Sequence, residues 1–324
     1  MPKHRTSSQG SNERSKRAEF CRRVALVYGI RPGDVEALLP GAGSQSVRVH
    51  RLSPRPVEAI RADLEAIADV EPIAWCQDAY YLRGGKGSLV DSDLFRNGDI
   101  YIQNASSLVP PLALDPQRGE DVLDLCASPG GKASHIAALT ENQASLWLND
   151  GLPARIGKLR DVAGLMRIDY KELTTVQAQY ADRFIPQQFD RILLDAQCTG
   201  EGRVDLHKPN ALRFWSLERV TEYGYLQQRM LAAAFKLLKP GGILVYTTCT
   251  ISPEENERPV DVLLNRFDDC RVLPIDVPLD TDVSMPGLQS WEGHRFRSDL
   301  QLALRIRPQE FYEPFFICKL QKAP

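Results

Sequence analysis

Two cysteines stand where thiol chemistry could be done. Asp195-Ala196-Gln197-Cys198-Thr199-Gly200-Glu201-Gly202 follows one apolar run, and Tyr246-Thr247-Thr248-Cys249-Thr250-Ile251-Ser252 follows another. Each thiol lies among small polar residues at the carboxyl end of an expected strand. In a doubly wound sheet such ends converge on one ligand crevice. A thiolate is a strong nucleophile and can leave again, so two thiols at one crevice suit covalent catalysis. The other five cysteines, Cys21, Cys76, Cys126, Cys270 and Cys318, read as small buried hydrophobes, with Cys126 packing at the end of the first strand. No Cys-x-x-Cys pair occurs, which argues against structural zinc and a disulfide framework and for a reducing compartment.

A second chemistry-bearing stretch is Ala127-Ser128-Pro129-Gly130-Gly131-Lys132. A glycine-rich turn from strand into helix lets a ligand approach backbone N–H groups and the positive end of the helix. The pattern is neither Gly-x-Gly-x-x-Gly nor a Walker loop. Asp150 ends the next expected strand, where an acidic residue about 20 positions on can hold both ribose hydroxyls of a nucleoside cofactor. The alternative for Asp150 is a helix N-cap before Gly151. Asp182, in the loop before Phe189, is placed either to meet the adenine edge or to be an ordinary loop carboxylate. Arg203, His207 and Lys208 follow the Cys198 loop and are either phosphate contacts or a solvated surface.

The elements that must position these groups are legible as short apolar runs. Asp121–Cys126, Ser145–Asp150, Phe189–Asp195 and Gly241–Thr248 read as strands, and Pro314–Leu320 as a closing strand. A long helix with Val220, Tyr223, Met230, Leu231, Ala234, Leu237 and Leu238 on its apolar face is expected to stop at Lys239-Pro240-Gly241-Gly242. Strands alternating with helices predict an α/β fold, a parallel sheet with helices on both faces. Before it, Ser46–His50 alternates like a half-buried strand, Pro56 opens a helix with Val57, Ile60, Leu64 and Ile67 on one face, and Val70–Trp75 reads as a second strand. The chain is accordingly divided into a basic disordered tail (1–18), a small α/β module (19–98) and a larger domain (99–324).

The 324 residues carry 40 Lys+Arg against 42 Asp+Glu, a net charge of −2, and no apolar stretch approaches the ~20 residues of a membrane span. No apolar segment follows Met1, so a cytoplasmic protein is expected. The charge is unevenly placed: Lys3, Arg5, Arg14, Lys16, Arg17, Arg22, Arg23 and Arg31 face only Glu13 and Glu19 at the start. That segment reads as a solvated tail, as an arm that neutralises phosphates, or less well as a transit peptide.

Three motifs together resemble a known family. Asp124-Leu125-Cys126-Ala127-Ser128-Pro129-Gly130-Gly131-Lys132 is similar to the cofactor motif of the NOL/NOP/Sun (RsmB-like) RNA cytosine-C5 methyltransferases. Leu194 to Gly202 resembles their Asp-Ala-Pro-Cys-Ser-Gly-x-Gly motif, and Thr247-Thr248-Cys249-Thr250 with Glu254-Glu255-Asn256-Glu257 resembles their Thr-Cys motif and trailing acidic helix. Gln103–Ser107 and Pro314–Ile317 also match, so the likeness covers roughly residues 45–322. The resemblance implies S-adenosylmethionine as methyl donor and a Rossmann-like methyltransferase sheet with an antiparallel last strand. It also implies that the small module binds RNA and that 5-methylcytosine is made in RNA, with ribosomal RNA favoured over transfer RNA. It further implies Cys249 as nucleophile, Cys198 as the thiol that helps release the product, and Asp195 and Lys132 as holders of the target cytosine. The cofactor would lie on Cys126, Ala127, Ser128, Pro129, Gly130, Gly131, Lys132, Asp150, Asp182 and Asp195; no metal or membrane partner is implied. One departure stands out: Gln197 replaces the family proline and Thr199 the serine, which predicts a looser Cys198 loop. A rival reading is a non-catalytic RNA-binding assembly factor that keeps the fold.

Overall fold

The computed structural model describes residues 6–39 and 45–324, and side chains from residue 13 onward within them. The chain begins with α1 (Thr6–Tyr28) and α2 (Val35–Leu38). A four-stranded antiparallel sheet of order β2-β3-β1-β4 follows, made of β1 (Gln45–Val49), β2 (Asp69–Pro72), β3 (Ala79–Gly84) and β4 (Ile100–Gln103). One face is covered by α3 (Val57–Ile67), α4 (Lys86–Val90) and α5 (Asp93–Arg96), with Val47, Val49, Ile60, Leu64, Leu89 and Leu94 in the core between them. The expected alternation in β1 is present, but its polar side is not solvated. Arg48 and His50 are buried against the larger domain, where Arg48 donates to Ser134 Oγ at 2.7 Å and His50 Nε2 lies 2.5 Å from the Met166 carbonyl. Burial, then the Arg48 charge, push His50 down to about 4, so the ring is neutral and Nε2 is the donor. The second strand ends at Pro72 rather than Trp75.

After α6 (Val109–Leu114) the larger sheet begins. β5 (Asp121–Asp124), β6 (Ser145–Asn149) and β7 (Glu172–Thr174) run outward in one direction, and β8 (Phe189–Asp195) and β9 (Leu238–Thr248) in the other, all parallel. α7 (Gly131–Leu139), α8 (Pro153–Leu165), the one-turn α9 (Ala181–Phe184), α10 (Leu217–Lys236) and α11 (Glu257–Arg266) cover the two faces. Val122, Leu123, Ile192, Leu193 and Leu194 are all fully buried, because strands covered on both faces are apolar throughout. β10 (Cys270–Leu273), β11 (Ser284–Pro286), the hairpin β12 (Ser290–Trp291) and β13 (His294–Arg295), β14 (Leu304–Ile306) and β15 (Phe315–Lys322) complete the chain. β15 lies antiparallel against β9, as the resemblance implies. The chain order reverses between β5 and β8, so the switch-point crevice opens at their carboxyl ends. Among the described residues no helix is long and apolar enough to cross a membrane.

Three expectations are corrected. α10 ends at Lys236 and β9 already starts at Leu238; Lys239–Gly242 form a bulge, since Phe189 pairs with Leu238 while Arg191 pairs with Ile243. The expected tail boundary at residue 18 falls inside α1. Phe20, Val24, Val27 and Tyr28 make a helical stripe that packs on Leu212, Trp215 and Ile251 of the larger domain, so α1 belongs to that domain's core. The small sheet closes only at Gln103, beyond the expected boundary at 98.

Candidate active site

β5 delivers Asp124 to the carboxyl edge, and the chain then turns through Leu125–Gly130 into α7. Gly130 has φ +116, and a Cβ there would meet Val162 Cγ1 at 2.8 Å; at Gly131 one would meet the Tyr101 ring at 2.7 Å. These glycines let the loop lie flat between α8 and β4. Asp150, at the end of β6, is 3% exposed. Its Oδ2 accepts the Ser128 N–H at 3.3 Å and its Oδ1 the Leu152 N–H at 3.0 Å. It therefore ties the glycine loop to its own turn, and the N-cap of α8 is Leu152 instead. Two accepted bonds leave lone pairs on the carboxylate, so a diol can still be held. Asn149 binds the strand ends together: Nδ2 donates to the Leu125 and Val176 carbonyls, both at 2.8 Å, and Oδ1 accepts from Thr174 Oγ1 at 2.8 Å.

Asp182 is not brought to this crevice. It sits in α9, 2.7 Å from Lys236 Nζ. Lys236 ends α10 just before β9 begins, at the amino edge of the sheet, so the carboxylate is held at the wrong end for an adenine contact.

β8 and β9 deliver the two thiols. Cys198 Sγ and Cys249 Sγ are 3.4 Å apart. The Cys198 S–H donating to it, with the Arg203 and Lys132 charges, holds Cys249 below the usual thiol range against burial and Asp195. Cys198 is pushed well up, by that same hydrogen bond and by burial. The electrostatics of the pair therefore favour ionisation of Cys249 over Cys198. Lys132 Nζ, from the first turn of α7, lies 2.7 Å from Asp195 Oδ2 at the end of β8 and 5.4 Å from the Phe315 ring centroid. Burial opposes its charge, but Asp195 outweighs burial and holds Lys132 above its ordinary value. Beneath them Asp124 has no hydrogen-bond partner for either carboxyl oxygen. Burial, then Asp195, push it up to about 7. Cys126 is driven well above the thiol range by burial, which fits a packing role. His207 and Lys208 pair with Glu36 and Asp205 at 3.4 and 3.3 Å, whereas Arg203 lies 3.7 Å from Glu313 beside the thiols.

The Gln197 loop is not loose. Gln227 of α10 donates Nε2 to the Gln197 carbonyl at 2.8 Å and to Glu255 at 3.0 Å. Glu201 of the Cys198 motif and Glu255 and Glu257 of the trailing acidic segment are buried acceptors or ion-pair partners. Glu201 takes the Thr250 hydroxyl, the Ile251 and Ser252 N–H groups, the Ser252 hydroxyl and the Trp215 indole, at 2.7–3.0 Å. Glu257 pairs with Arg305, 2% exposed, which in turn donates to the Ile251 carbonyl at 2.9 Å. Glu255 lies between the thiol loops. Against the back of the Cys249 turn, Arg23 of α1 reaches Glu254 at 2.6 Å, and Phe20 meets Trp215 edge-on at 5.3 Å. The Phe20, Val24, Val27 spacing was the sequence signal for this buttress; nothing local announces its partners.

A parallel sheet with an antiparallel strand beside β9, a glycine turn into α7 and a buried acid ending β6 define a methyltransferase of the Rossmann-like class. The family model described as 16S rRNA methyltransferase RsmB/F matches residues 111–321, and the chain belongs to that family. A tRNA (cytosine(49)-C(5))-methyltransferase of Pyrococcus abyssi is 36% identical over 284 residues, covering 86% of this chain and 88% of its own. Ribosomal RNA small subunit methyltransferase F of Aeromonas salmonicida is 35% identical over 259 residues, 78% of this chain; the chain spans about half, 52%, of that relative's length. The crystal structure of a methyltransferase homolog protein from Pyrococcus horikoshii superposes with a TM-score of 0.80 at 30% identity, covering 93% of each chain. NSun6 from Pyrococcus horikoshii, determined with SFG, shares the fold with a TM-score of 0.76 at 19% identity over 94% of this chain and 98% of its own.

Proposed function

We propose that the protein transfers a methyl group from S-adenosylmethionine to C5 of a cytosine in RNA through a covalent bond between Cys249 and C6. The observation that carries this reading is the 3.4 Å thiol pair beside the 2.7 Å Lys132–Asp195 pair. The RsmB/F family membership and the names of the relatives, which act on cytosine C5 of transfer RNA or on ribosomal RNA, support it.

Cytosine C5 is a poor nucleophile. A thiolate added to C6 makes C5 an enamine-like carbon, which splits one hard step into two easier ones. Cys249 is the thiol whose ionisation the site favours, from Arg203, Lys132 and the Cys198 hydrogen bond, so it is assigned the attack. Charge then moves toward N3, where the Lys132 ammonium, held in place by Asp195, offsets it. After methylation the C5 proton leaves and the C6–S bond breaks to regenerate the Cys249 thiolate. Cys198 is adjacent to that bond; once its proton has passed to N3 during attack, its thiolate takes the C5 proton, whose bonding pair forms C5=C6 as the C6–S pair returns to Cys249. The crevice suits S-adenosylmethionine because Asp150 keeps free lone pairs beside a loop whose glycines expose backbone; bound there, S-adenosylmethionine supplies the electrophilic methyl group. The target base must be unstacked to reach these groups.

The four-stranded unit is the candidate RNA-docking element. Arg51 and Arg61 share the buried Asp78, and Arg55 bridges the exposed Asp63 and the buried Asp99, so these arginines are held in place with partly exposed heads that phosphates could meet. A non-catalytic assembly factor would need neither a pair of thiols in contact nor a cation fixed on Asp195. Transfer of labelled methyl groups to total RNA tests the choice: wild type labels RNA and Cys249→Ala does not. Label at wild-type level in that variant would refute the covalent reading. Bisulfite sequencing of RNA from cells with and without the gene identifies the cytosine and separates ribosomal from transfer RNA.

A further inference from the structure

Glu255 belongs to neither thiol loop, yet it is bonded to both. Its side chain is fully buried. Oε2 accepts the Thr199 N–H at 2.9 Å and Gln227 Nε2 at 3.0 Å. Oε1 is hydrogen-bonded to Thr199 Oγ1 and lies 3.3 Å from Thr250 Oγ1, and the two threonine hydroxyls are 3.0 Å from each other. Thr199 follows Cys198 in the chain, and Thr250 follows Cys249. The backbone of Glu255 is fixed as well, since Tyr246 Oη donates to its carbonyl at 2.5 Å.

We propose that Glu255 is a positioning residue that sets the separation of the two thiols by clamping Thr199 to Thr250. The proposal rests on the two-thiol reading of the site. The thiol loops leave different strands; the backbone bonds flanking them are Ala196 N–H to the Thr247 carbonyl at 2.9 Å and Gly202 N–H to the Cys249 carbonyl at 3.1 Å, and neither is made by Cys198. Reacting groups displaced by an ångström lose much of their advantage, so something must hold the loops in register. The proline that would stiffen the Cys198 loop is Gln197 here, and Gln227 passes the hold of Glu255 on to the Gln197 carbonyl.

The choice of a carboxyl group has a physical reason. Burial, then the neighbouring Glu201 charge, push Glu255 up to about 8. Around it stand Glu201 from the turn after β8, Cys198, Tyr246 from β9 and Gln227 from α10. Near neutral pH it therefore favours its protonated form, with Oε1 bonded to the threonine hydroxyls while Oε2 accepts two N–H groups. Glutamine reproduces that arrangement, its carbonyl in place of Oε2 and its amide NH2 toward the hydroxyls. Alanine removes it.

The test compares Glu255→Gln, Glu255→Ala and wild type as full chains. It measures kcat, KM for RNA, S-adenosylmethionine affinity by calorimetry, and the rate at which diamide joins Cys198 to Cys249, followed by peptide mass mapping. In that joining two thiols become a disulfide and diamide is reduced to its hydrazine. Glu255→Gln is expected within about threefold of wild type in every readout. Glu255→Ala is expected to keep cofactor affinity and KM within about twofold, while kcat and the joining rate each fall about tenfold or more. Joining at the wild-type rate in Glu255→Ala overturns the clamp, as does a kcat loss that Glu255→Gln shares. If Glu255→Ala does not fold, Thr199→Val removes one arm alone; it must slow joining severalfold, and an unchanged rate overturns the proposal. The joining rate does not depend on which thiol attacks RNA, so methyl transfer by Cys249→Ala would sink the catalytic reading while leaving this measurement to judge the clamp.

Discussion

The crevice has two halves, built on different principles. The cofactor half, at the ends of β5 and β6, is made of backbone: glycines that lie flat, N–H groups and one carboxylate, Asp150, that ties Ser128 to Leu152. The thiol half, at the ends of β8 and β9, is made of buried side chains. Glu201, Glu255 and Glu257 there accept from or pair with groups drawn from six stretches of chain, including α10 and β14. A backbone site tolerates loss of one side chain with its shape intact. A site of buried carboxylates does not, because each deletion strands a polar or charged partner away from water.

The largest effect should therefore come from the thiol half. Glu257→Ala leaves Arg305 buried and unpaired, which costs about 3–5 kcal/mol of folding stability. Chemical denaturation should show a drop of that size, and a change below ~1 kcal/mol would mean that water reaches Arg305. Asp150→Ala, in the other half, should fold nearly normally but bind S-adenosylmethionine about tenfold or more weakly, since each lost charged hydrogen bond is worth ~1.5–3 kcal/mol. Unchanged affinity by calorimetry would leave Asp150 as a turn-former only.

Asp124 lies between the halves and gives a smaller, pH-dependent effect. Its folded value, about 7, lies above the ordinary value near 4 of an unfolded carboxyl group. Between those limits the native state binds more protons, so this group makes stability fall as pH rises, by up to about 1.4 kcal/mol per unit. Asp124→Asn should flatten that slope between pH 4 and 7 in thermal denaturation; an identical slope would show that water or a neighbour satisfies the carboxylate. The smallest effect is expected at the start of the chain. Arg17 and Arg23 are committed to the Leu206 carbonyl and to Glu254, so neither is available to phosphates. Deleting residues 1–12 should lower the salt slope of RNA binding by about one or two, without moving the methylated position. A shifted position would show that the segment reads sequence.

The same contrast explains what the sequence made legible. Local patterns gave the strands, the glycine turn, Asp150 and both cysteines, because each is announced by its neighbours in the chain. Asp182 misled because a carboxylate in a loop before a strand carries no sign of which sheet edge it reaches, and Lys236, 54 positions on, decides that. The polar side of β1 looked solvated because Ser134 and Met166, which cover it, are more than 80 positions away. Gln197 looked like a weakness because Gln227, which holds its carbonyl from α10, lies 30 positions on. Buried polar networks are long-range by construction, and a single chain read in order does not pair their members.

The central claim is that Cys249 attacks and Cys198 releases. The most direct measurement is the covalent protein–RNA species formed with substrate RNA and S-adenosylmethionine, resolved on a denaturing gel for Cys198→Ala, Cys249→Ala and the double variant. The account predicts that Cys198→Ala accumulates the adduct, mapped by mass spectrometry to Cys249, and that the other two form none. An adduct trapped by Cys249→Ala instead would reverse the roles and contradict the account.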